Sequence, residues 1–244
     1  MDRNEYDEEI RTGLNLVKSF IKRWPGLFTF LSYTIGTVLY GGLSAKKAMR
    51  LSAGSALPQN PVIINLGSGT RRYSDEIINV DIFPFKNVDV VADARVLPFR
   101  DNSVDMVISE FLLEHVPSPE LVSQEISRIV KPGGYIYITV PFLHPYHGSP
   151  SDFKRWTWTA LERDFSAFAP LRTGVRAGPM SALLTLLTYW LAILFSFRSK
   201  KLYLFFTQFF MVLLAPLKLF DVVFRIFPQS IEAADLLYFW GRKK

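Results

Sequence analysis

An α/β fold on a mostly parallel sheet is the architecture this sequence predicts. Short β-rich apolar runs recur from residue 62 onward. Helical stretches and Gly/Pro turns separate them, and the first run, Val62-Ile63-Ile64-Asn65-Leu66, ends in Gly67-Ser68-Gly69. Strands alternating with helices and closed by such turns form βαβ units, whose crossovers leave the strands parallel. Composition agrees: of 244 residues, 49% are hydrophobic and 20% charged, ample for a buried core and too apolar for disorder. The chain has no cysteine, which excludes a disulfide framework, a thiol nucleophile and Cys-ligated zinc.

The chain opens on an acidic stretch, Met1 to Glu9, where a signal peptide needs a positive flank. Ile10, Leu14, Val17, Ile21 and Trp24 recur at helical spacing and predict an amphipathic helix over 8–24, broken by Pro25-Gly26. Residues 27–43 are apolar, but their threonines, serine and glycines make a poor membrane span. Residues 44–50 are short and basic, and 58–61 read as a linker. Strands follow at 62–66, 77–82, 88–92 and 104–108, then a helix at 121–129. Lys131-Pro132-Gly133-Gly134 reads as a tight turn feeding a strand over 135–140. A helix at 157–165, a weak strand at 171–175 and a last strand at 233–240 complete the core.

The glycine turn after the first strand lets backbone N–H groups approach a ligand beside a helix's positive end, which suits a nucleotide-like cofactor. Asp81 ends the second strand, where an acidic residue binds ribose hydroxyls, and Asp93 repeats the arrangement after the third. Three polar features at successive strand ends define one edge of the sheet.

From Val62 to about Arg155 the chain resembles the class I S-adenosylmethionine-dependent methyltransferases of the type 11 group. The matching runs are Ile64-Asn65-Leu66-Gly67-Ser68-Gly69-Thr70, Asn79-Val80-Asp81, Ala92-Asp93-Ala94-Arg95-Val96-Leu97-Pro98-Phe99, Ser103 to Val107, Leu113-Glu114-His115-Val116 and Lys131-Pro132-Gly133-Gly134. The resemblance implies a Rossmann-like, seven-stranded, mostly parallel sheet with helices on both faces. To it are added an N-terminal helical segment and an apolar helical insertion before the last strand. It also implies S-adenosyl-L-methionine as cofactor. Asn65, Gly67, Ser68 and Gly69 would line its methionine part, Asp81 and Ile82 its ribose, Asp93 and Ala94 its adenine, and Ser109 and Glu110 would lie beside the methyl group. Asn65 stands where the family usually has an acid, and Arg71 where it has a third glycine. The segment from Gly69 to Asp81 is short for a crossover helix.

Methyl transfer needs alignment, and a base only where the acceptor must lose a proton. The Pro/Gly-rich loop 141–157 holds two of the three histidines. It is similar to a His…Pro-x-Asp-aromatic…Arg pattern in family members encoded with polysaccharide-biosynthesis enzymes. His147 is the first candidate for a base and His144 the second. Asp152 is the candidate to orient it, and Arg155 to pair with Asp152 or a substrate phosphate. The same residues also read as a structural Asp152–Arg155 pair with histidines on loop carbonyls. His144, His147 and Asp152 are too loosely spaced for a metal signature, and no metal is expected. His115 reads equally as structural or as part of the cofactor site.

Nine of the 21 phenylalanines lie between Phe195 and Phe227, in two apolar stretches, 180–197 and 202–217, joined by Arg198-Ser199-Lys200-Lys201. At 1.5 Å per residue these helices are about 27 and 24 Å long, short of a hydrocarbon core of roughly 30 Å. A spanning hairpin would also carry a basic tip to the outside, against the positive-inside tendency. A monotopic or re-entrant arrangement is the expectation, ahead of a hairpin or burial against a partner or homodimer mate. The expected organisation is a helical segment 1–60, a cofactor-binding core 61–179, an apolar membrane-docking insertion 180–228, and a last strand with basic tail 229–244. The formal charge of +6 and the basic residues beside aromatic stretches favour an anionic membrane surface over nucleic acid. The functional expectation is a methyltransferase at the cytoplasmic membrane face acting on a lipid or lipid-linked acceptor, with the hydroxyl of a lipid-linked saccharide as the first candidate. Its rivals are a quinone or phospholipid-headgroup methyltransferase and an inert scaffold of the same fold.

Overall fold

The computed structural model describes residues 36–55, 57–148 and 151–244. The helix expected over 8–24 and most of the apolar segment 27–43 lie outside them. Two compact units are present: one formed by Tyr40–Pro179 with Phe227–Lys244, the other containing Met180–Ile226.

The first unit is built on a sheet of β1 (Ile63–Leu66), β2 (Ile78–Asp81), β3 (Val90–Val91), β4 (Val104–Glu110), β5 (Val130–Pro141), β6 (Phe168–Ala177) and β7 (Leu236–Lys243). Their order across the sheet is β3-β2-β1-β4-β5-β7-β6. Strands β1 to β5 pair in parallel, and β7 runs antiparallel to both β5 and β6. The carboxyl ends of β1 to β5 therefore lie on one edge, as does the β6 end, where Ala177 pairs with Leu236.

Side chains alternate between two apolar layers because the strand period is two. Ile64, Leu66, Val107, Ile136 and Ile138 face α2 (Pro119–Ile129) and α3 (Trp158–Asp164) through Val122, Ile126, Ile129 and Leu161. Ile63, Met106, Ile108, Tyr135 and Tyr137 form the opposite layer with α1 (Ala45–Ala53). Ser44 caps α1 by accepting the Lys47 N–H, so the short basic stretch seen in the sequence is the first half of a helix. The connection between β1 and β2 contains no helix, as its length implied.

One element differs in kind from the expectation. Lys131-Pro132-Gly133-Gly134 is no free turn but lies inside β5, with Val130 already paired to Val104. A register shift in the β4 pairing and the left-handed backbone of Gly133 (φ +77°) absorb the extra residues.

In the second unit, α4 (Pro179–Phe195) is followed by α5 (Lys200–Leu214), a 3-10 stretch (Ala215–Phe220) and the short α6 (Asp221–Phe224). From Lys200 to Phe224 the chain is one helical run of 25 residues, and its most apolar 18 residues have a mean hydropathy of 1.7. At 1.5 Å per residue that is about 37 Å, longer than the roughly 24 Å expected for 202–217 and, by length alone, enough to cross a membrane. In sequence, Lys218, Asp221 and Arg225 make the turns after 217 amphipathic, and Lys218 and Asp221 would share a solvated face. Instead both side chains are buried, and Leu217, Leu219, Phe220, Val222 and Val223 are exposed. Asp221 is drawn inward because it caps α4, accepting from Met180 N (2.8 Å) and Ser181 N (3.0 Å), two donors that have no partner within the helix. Lys218 Nζ donates to Gly36 O at 2.7 Å.

Candidate functional site

The glycine turn leaves β1 with both glycines left-handed, Gly67 at φ +69° and Gly69 at φ +53°. Gly67 N and Ser68 N donate to Val80 O of β2 at 2.8 and 3.1 Å, which folds the loop over the strand ends. A Cβ on Gly67 would come within 2.8 Å of the Leu112 side chain, whereas one on Gly69 would meet open space. Asp81 reaches back under the turn: its carboxylate accepts from Gly69 N (2.8 Å) and Phe83 N (2.9 Å), leaving further lone pairs on each oxygen. Ile82 beside it is exposed.

Asn65, Gly67, Ser68, Thr70, Arg71, Glu110 and Phe111 line a cleft of about 230 Å³ at this edge. Ser68 Oγ and Ser109 Oγ are buried with no hydrogen-bond partner among the described residues. Two orphaned hydroxyls, a glycine turn and a carboxylate with spare acceptor capacity fit a polar cofactor of nucleoside type. Asn65 is committed elsewhere, donating to Asn79 Oδ1 at 3.0 Å in a buried amide pair. Glu110 is bridged by Arg71 (2.6 Å) and bonded by the Tyr73 hydroxyl. Burial first, and then the Glu110 carboxylate, push the Tyr73 phenol well above its ordinary range. Arg71 thus puts a charged side chain on the wall where the family pattern has a glycine. Asp93 is held by its own neighbour, accepting from Arg95 N and from the Arg95 guanidinium through both oxygens, which lowers its carboxyl below the usual range. Ala94 is buried beside it.

The loop after β5 is clasped between the turn after β4 and the chain entering β7. Phe142 N donates to Asp235 O, and Phe153 N to Glu114 O. Arg155 holds the loop from within. Its Nε donates to His144 O, one terminal nitrogen to Asp152 and Lys154 O, and the other to Pro145 O and Asp152 Oδ2. A guanidinium has five N–H groups, and all five are used, so Arg155 keeps no donor for a substrate phosphate. Asp152 is its structural partner and also accepts from His147 N at 2.9 Å.

All three histidines meet here. His144 Nδ1 lies 2.9 Å from Asp235 Oδ1, and Asp235 is fully buried. An imidazole whose Nδ1–H donates to a carboxylate is fixed in the tautomer with a free lone pair on Nε2, the form that accepts a proton. His147 directs Nδ1 to Pro145 O and Asp152 Oδ2, both at 3.2 Å, and its Nε2 faces Glu114 Oε1 at 3.6 Å. Burial pulls the His147 imidazole down, but Glu114 and then Asp152 more than offset it and hold the group above its usual range. His115, on the 3-10 turn Leu113–His115, binds Ser151 O through Nδ1 at 2.6 Å. The His147 ring packs edge-on against those of His115 and His144. The structure therefore joins His144 and His147, as the loop sequence suggests, but to different carboxylates. Asp235 and Glu114 were not singled out from the sequence. The available signal for Asp235 was an acid at the head of the apolar run Leu236 to Trp240.

Residues 66–138 match a family model described as a methyltransferase domain. An uncharacterized methyltransferase of Mycobacterium leprae is 26% identical over 118 residues, covering 40% of this chain and 44% of that protein. A demethylmenaquinone methyltransferase of Renibacterium salmoninarum is 32% identical over 100 residues, covering 36% of this chain and 42% of its own length. The chain thus spans less than half of these relatives. A solved structure of a putative sarcosine dimethylglycine methyltransferase from Galdieria sulphuraria aligns over 98% of both chains with a TM-score of 0.51 and 18% identity. Strand order, glycine turn and acidic strand ends agree with these likenesses: the core of this protein has the class I methyltransferase fold.

Proposed function

We propose that the protein is an S-adenosylmethionine-dependent methyltransferase docked on a membrane. The observation that carries the reading is the meeting, at one sheet edge, of the glycine turn, Asp81 and the orphaned Ser68 and Ser109 hydroxyls within the stretch that matches the methyltransferase domain. Gly67 to Gly69, Asp81 and Asp93 would hold the cofactor, which when bound supplies an electrophilic methyl group on a sulfonium. The chain's own part is positioning and proton handling. His144, oriented by Asp235, is the group best arranged to take a proton from an acceptor hydroxyl. Asp152 and Arg155 keep the loop that carries it in shape.

The apolar unit supports a membrane acceptor. Phe197, Phe205 and Phe209 are exposed beside the basic turn Arg198–Lys201, and Trp190, Leu213 and Ile226 are exposed further along the helices. Fully burying one Phe side chain is worth roughly 1.5 to 3 kcal/mol, and each basic residue near an anionic leaflet about 1 kcal/mol. Helix α4, at 17 residues, is about 26 Å long and short for a span, which favours docking on the cytoplasmic face over a crossing hairpin. The acceptor we favour is a hydroxyl of a lipid-linked saccharide. The likeness to a demethylmenaquinone methyltransferase supports a second reading, a quinone acceptor.

The test is calorimetry with S-adenosylmethionine, followed by transfer of labelled methyl groups into fractionated membrane lipids. Saturable binding and label in a glycolipid fraction support the first reading, and label in the quinone fraction the second. No cofactor binding overturns both and leaves an inert scaffold.

A further inference from the structure

The histidine cluster contains a group with no use in the reading above. Glu114 is fully buried, and neither of its carboxylate oxygens has a hydrogen-bond partner among the described residues. A buried carboxylate without donors is costly, and such groups ordinarily pair with a cation or coordinate one. What faces it is two imidazole nitrogens: His147 Nε2 at 3.6 Å from Oε1 and His115 Nε2 at 4.0 Å. These gaps are too long for hydrogen bonds, whose N–O distances run about 2.7–3.2 Å. They are close to the roughly 3.3–3.6 Å that separates two ligands each about 2.0–2.2 Å from a tetrahedral ion. One ligand atom from each of the three side chains falls within 4.8 Å of the others.

The outer contacts point the same way. His115 Nδ1 is bound to Ser151 O, and His147 Nδ1 to Pro145 O and Asp152 Oδ2. A ligating histidine typically donates its other ring N–H to a carbonyl or carboxylate, which aims the remaining lone pair at the metal. Both histidines carry such a partner on Nδ1, and both leave Nε2 toward Glu114.

We propose that Glu114, His115 and His147 form a binding site for one divalent transition-metal cation of the zinc type. Two imidazoles and one carboxylate select such an ion over magnesium or calcium, which prefer all-oxygen sites. Three protein ligands leave at least one position open to water or to an oxygen of a bound molecule. The three residues come from two segments about 30 positions apart, joined by the Phe153 N to Glu114 O hydrogen bond.

The experiment uses tag-free full-length protein stripped with a chelator, titrated with Co²⁺ under visible spectroscopy and then with Zn²⁺ as competitor. The expected result is saturation at one equivalent, with the ligand-field spectrum of a low-coordinate nitrogen/oxygen site that Zn²⁺ abolishes. Glu114→Gln and His115→Ala should each weaken Co²⁺ affinity by more than tenfold, while circular dichroism of the stripped proteins stays at wild type. His115 is partly exposed, so its variant serves if the buried Glu114 change impairs folding. Absence of saturable binding overturns the site. So does binding of equal strength in wild type and both variants, and the cluster is then an imidazole–carboxylate contact alone. Because the readout is cation binding, failure here is distinct from failure to bind S-adenosylmethionine.

Discussion

The imidazole of His144 and the carboxylate of Asp235 meet at 2.9 Å although 91 residues separate them. The contact forms because the loop after β5 bonds to the chain entering β7, Phe142 N donating to Asp235 O and Leu143 N to Ala234 O. Asp235 is fully buried and its second oxygen has no partner, so the pair stands in a low-dielectric setting where it orients the ring strongly. Replacing His144 by alanine should lower methyl-transfer turnover roughly 10²- to 10⁴-fold if an acceptor hydroxyl is deprotonated there. Cofactor affinity should stay near wild type, since His144 does not line the glycine-turn cleft. Single-turnover rates and calorimetry on the same preparation check both halves. Turnover within a few-fold of wild type would remove His144 as the base and return His147 to first place.

Asp81→Ala is expected to cut S-adenosylmethionine affinity by roughly 10- to 150-fold, the equivalent of about 1.5 to 3 kcal/mol for a lost hydrogen bond to a charged group. It also frees the Gly69 N–H that Asp81 holds at 2.8 Å. Asp93 is already saturated by Arg95, so Asp93→Ala should cost less than Asp81→Ala. Calorimetric affinities in the opposite order would contradict this assignment.

The two glycines of the turn should respond unequally to alanine. Gly69→Ala places its Cβ in open space and should cost only the left-handed strain, about 1–2 kcal/mol. Gly67→Ala adds a collision with Leu112 at 2.8 Å, so it should destabilise more and distort the cofactor loop. Denaturant melts with and without cofactor separate the effects: the Gly69 variant keeps a cofactor-dependent shift, and the Gly67 variant loses most of it.

Asp152 makes stability depend on acid pH. Burial alone would raise its carboxyl, but the bonds from Arg155 and His147 N outweigh that and lower it to about 2. A folded-state value below the unfolded one stabilises above the unfolded pKa, and the contribution fades as pH falls from about 4 through 2. The side chain is 1% exposed, so screening is slight. Asp152→Asn should therefore cost about 2 kcal/mol at pH 7 and close to nothing near pH 2. Urea unfolding across that range is the measurement, and a pH-independent difference would show that packing, not charge, is what the substitution removes.

Phe205→Ser with Phe209→Ser should release the protein from anionic liposomes, since both rings are exposed on α5. High salt should weaken wild-type binding without abolishing it, because only the basic contribution is screened. Co-sedimentation reads both. Protease cleavage at the Arg198–Lys201 turn from the far side of a sealed vesicle would instead establish a crossing hairpin.

By itself the sequence determined the parts that depend on local chemistry. Short β-rich apolar runs placed β1, β2, β4 and β7, and Gly67-Ser68-Gly69 marked a turn that needs left-handed backbone. Asp81 could be placed at the carboxyl edge of the sheet because it closes the second apolar run. What the tertiary structure decided were relations between distant segments. Lys131-Pro132-Gly133-Gly134 has turn composition, yet pairing of Val130 with Val104 draws it into β5. Lys218 and Asp221 have the pattern of a solvated face, yet Asp221 is pulled inward by unpaired amides at the start of α4. Arg155 carries the charge to bind a phosphate, but five loop acceptors consume its donors. The gathering of His115, His144 and His147 around Glu114 and Asp235 has no sequence period, because hydrogen bonds among three chain segments produce it, and such closure is a property of the folded loop rather than of any window of residues.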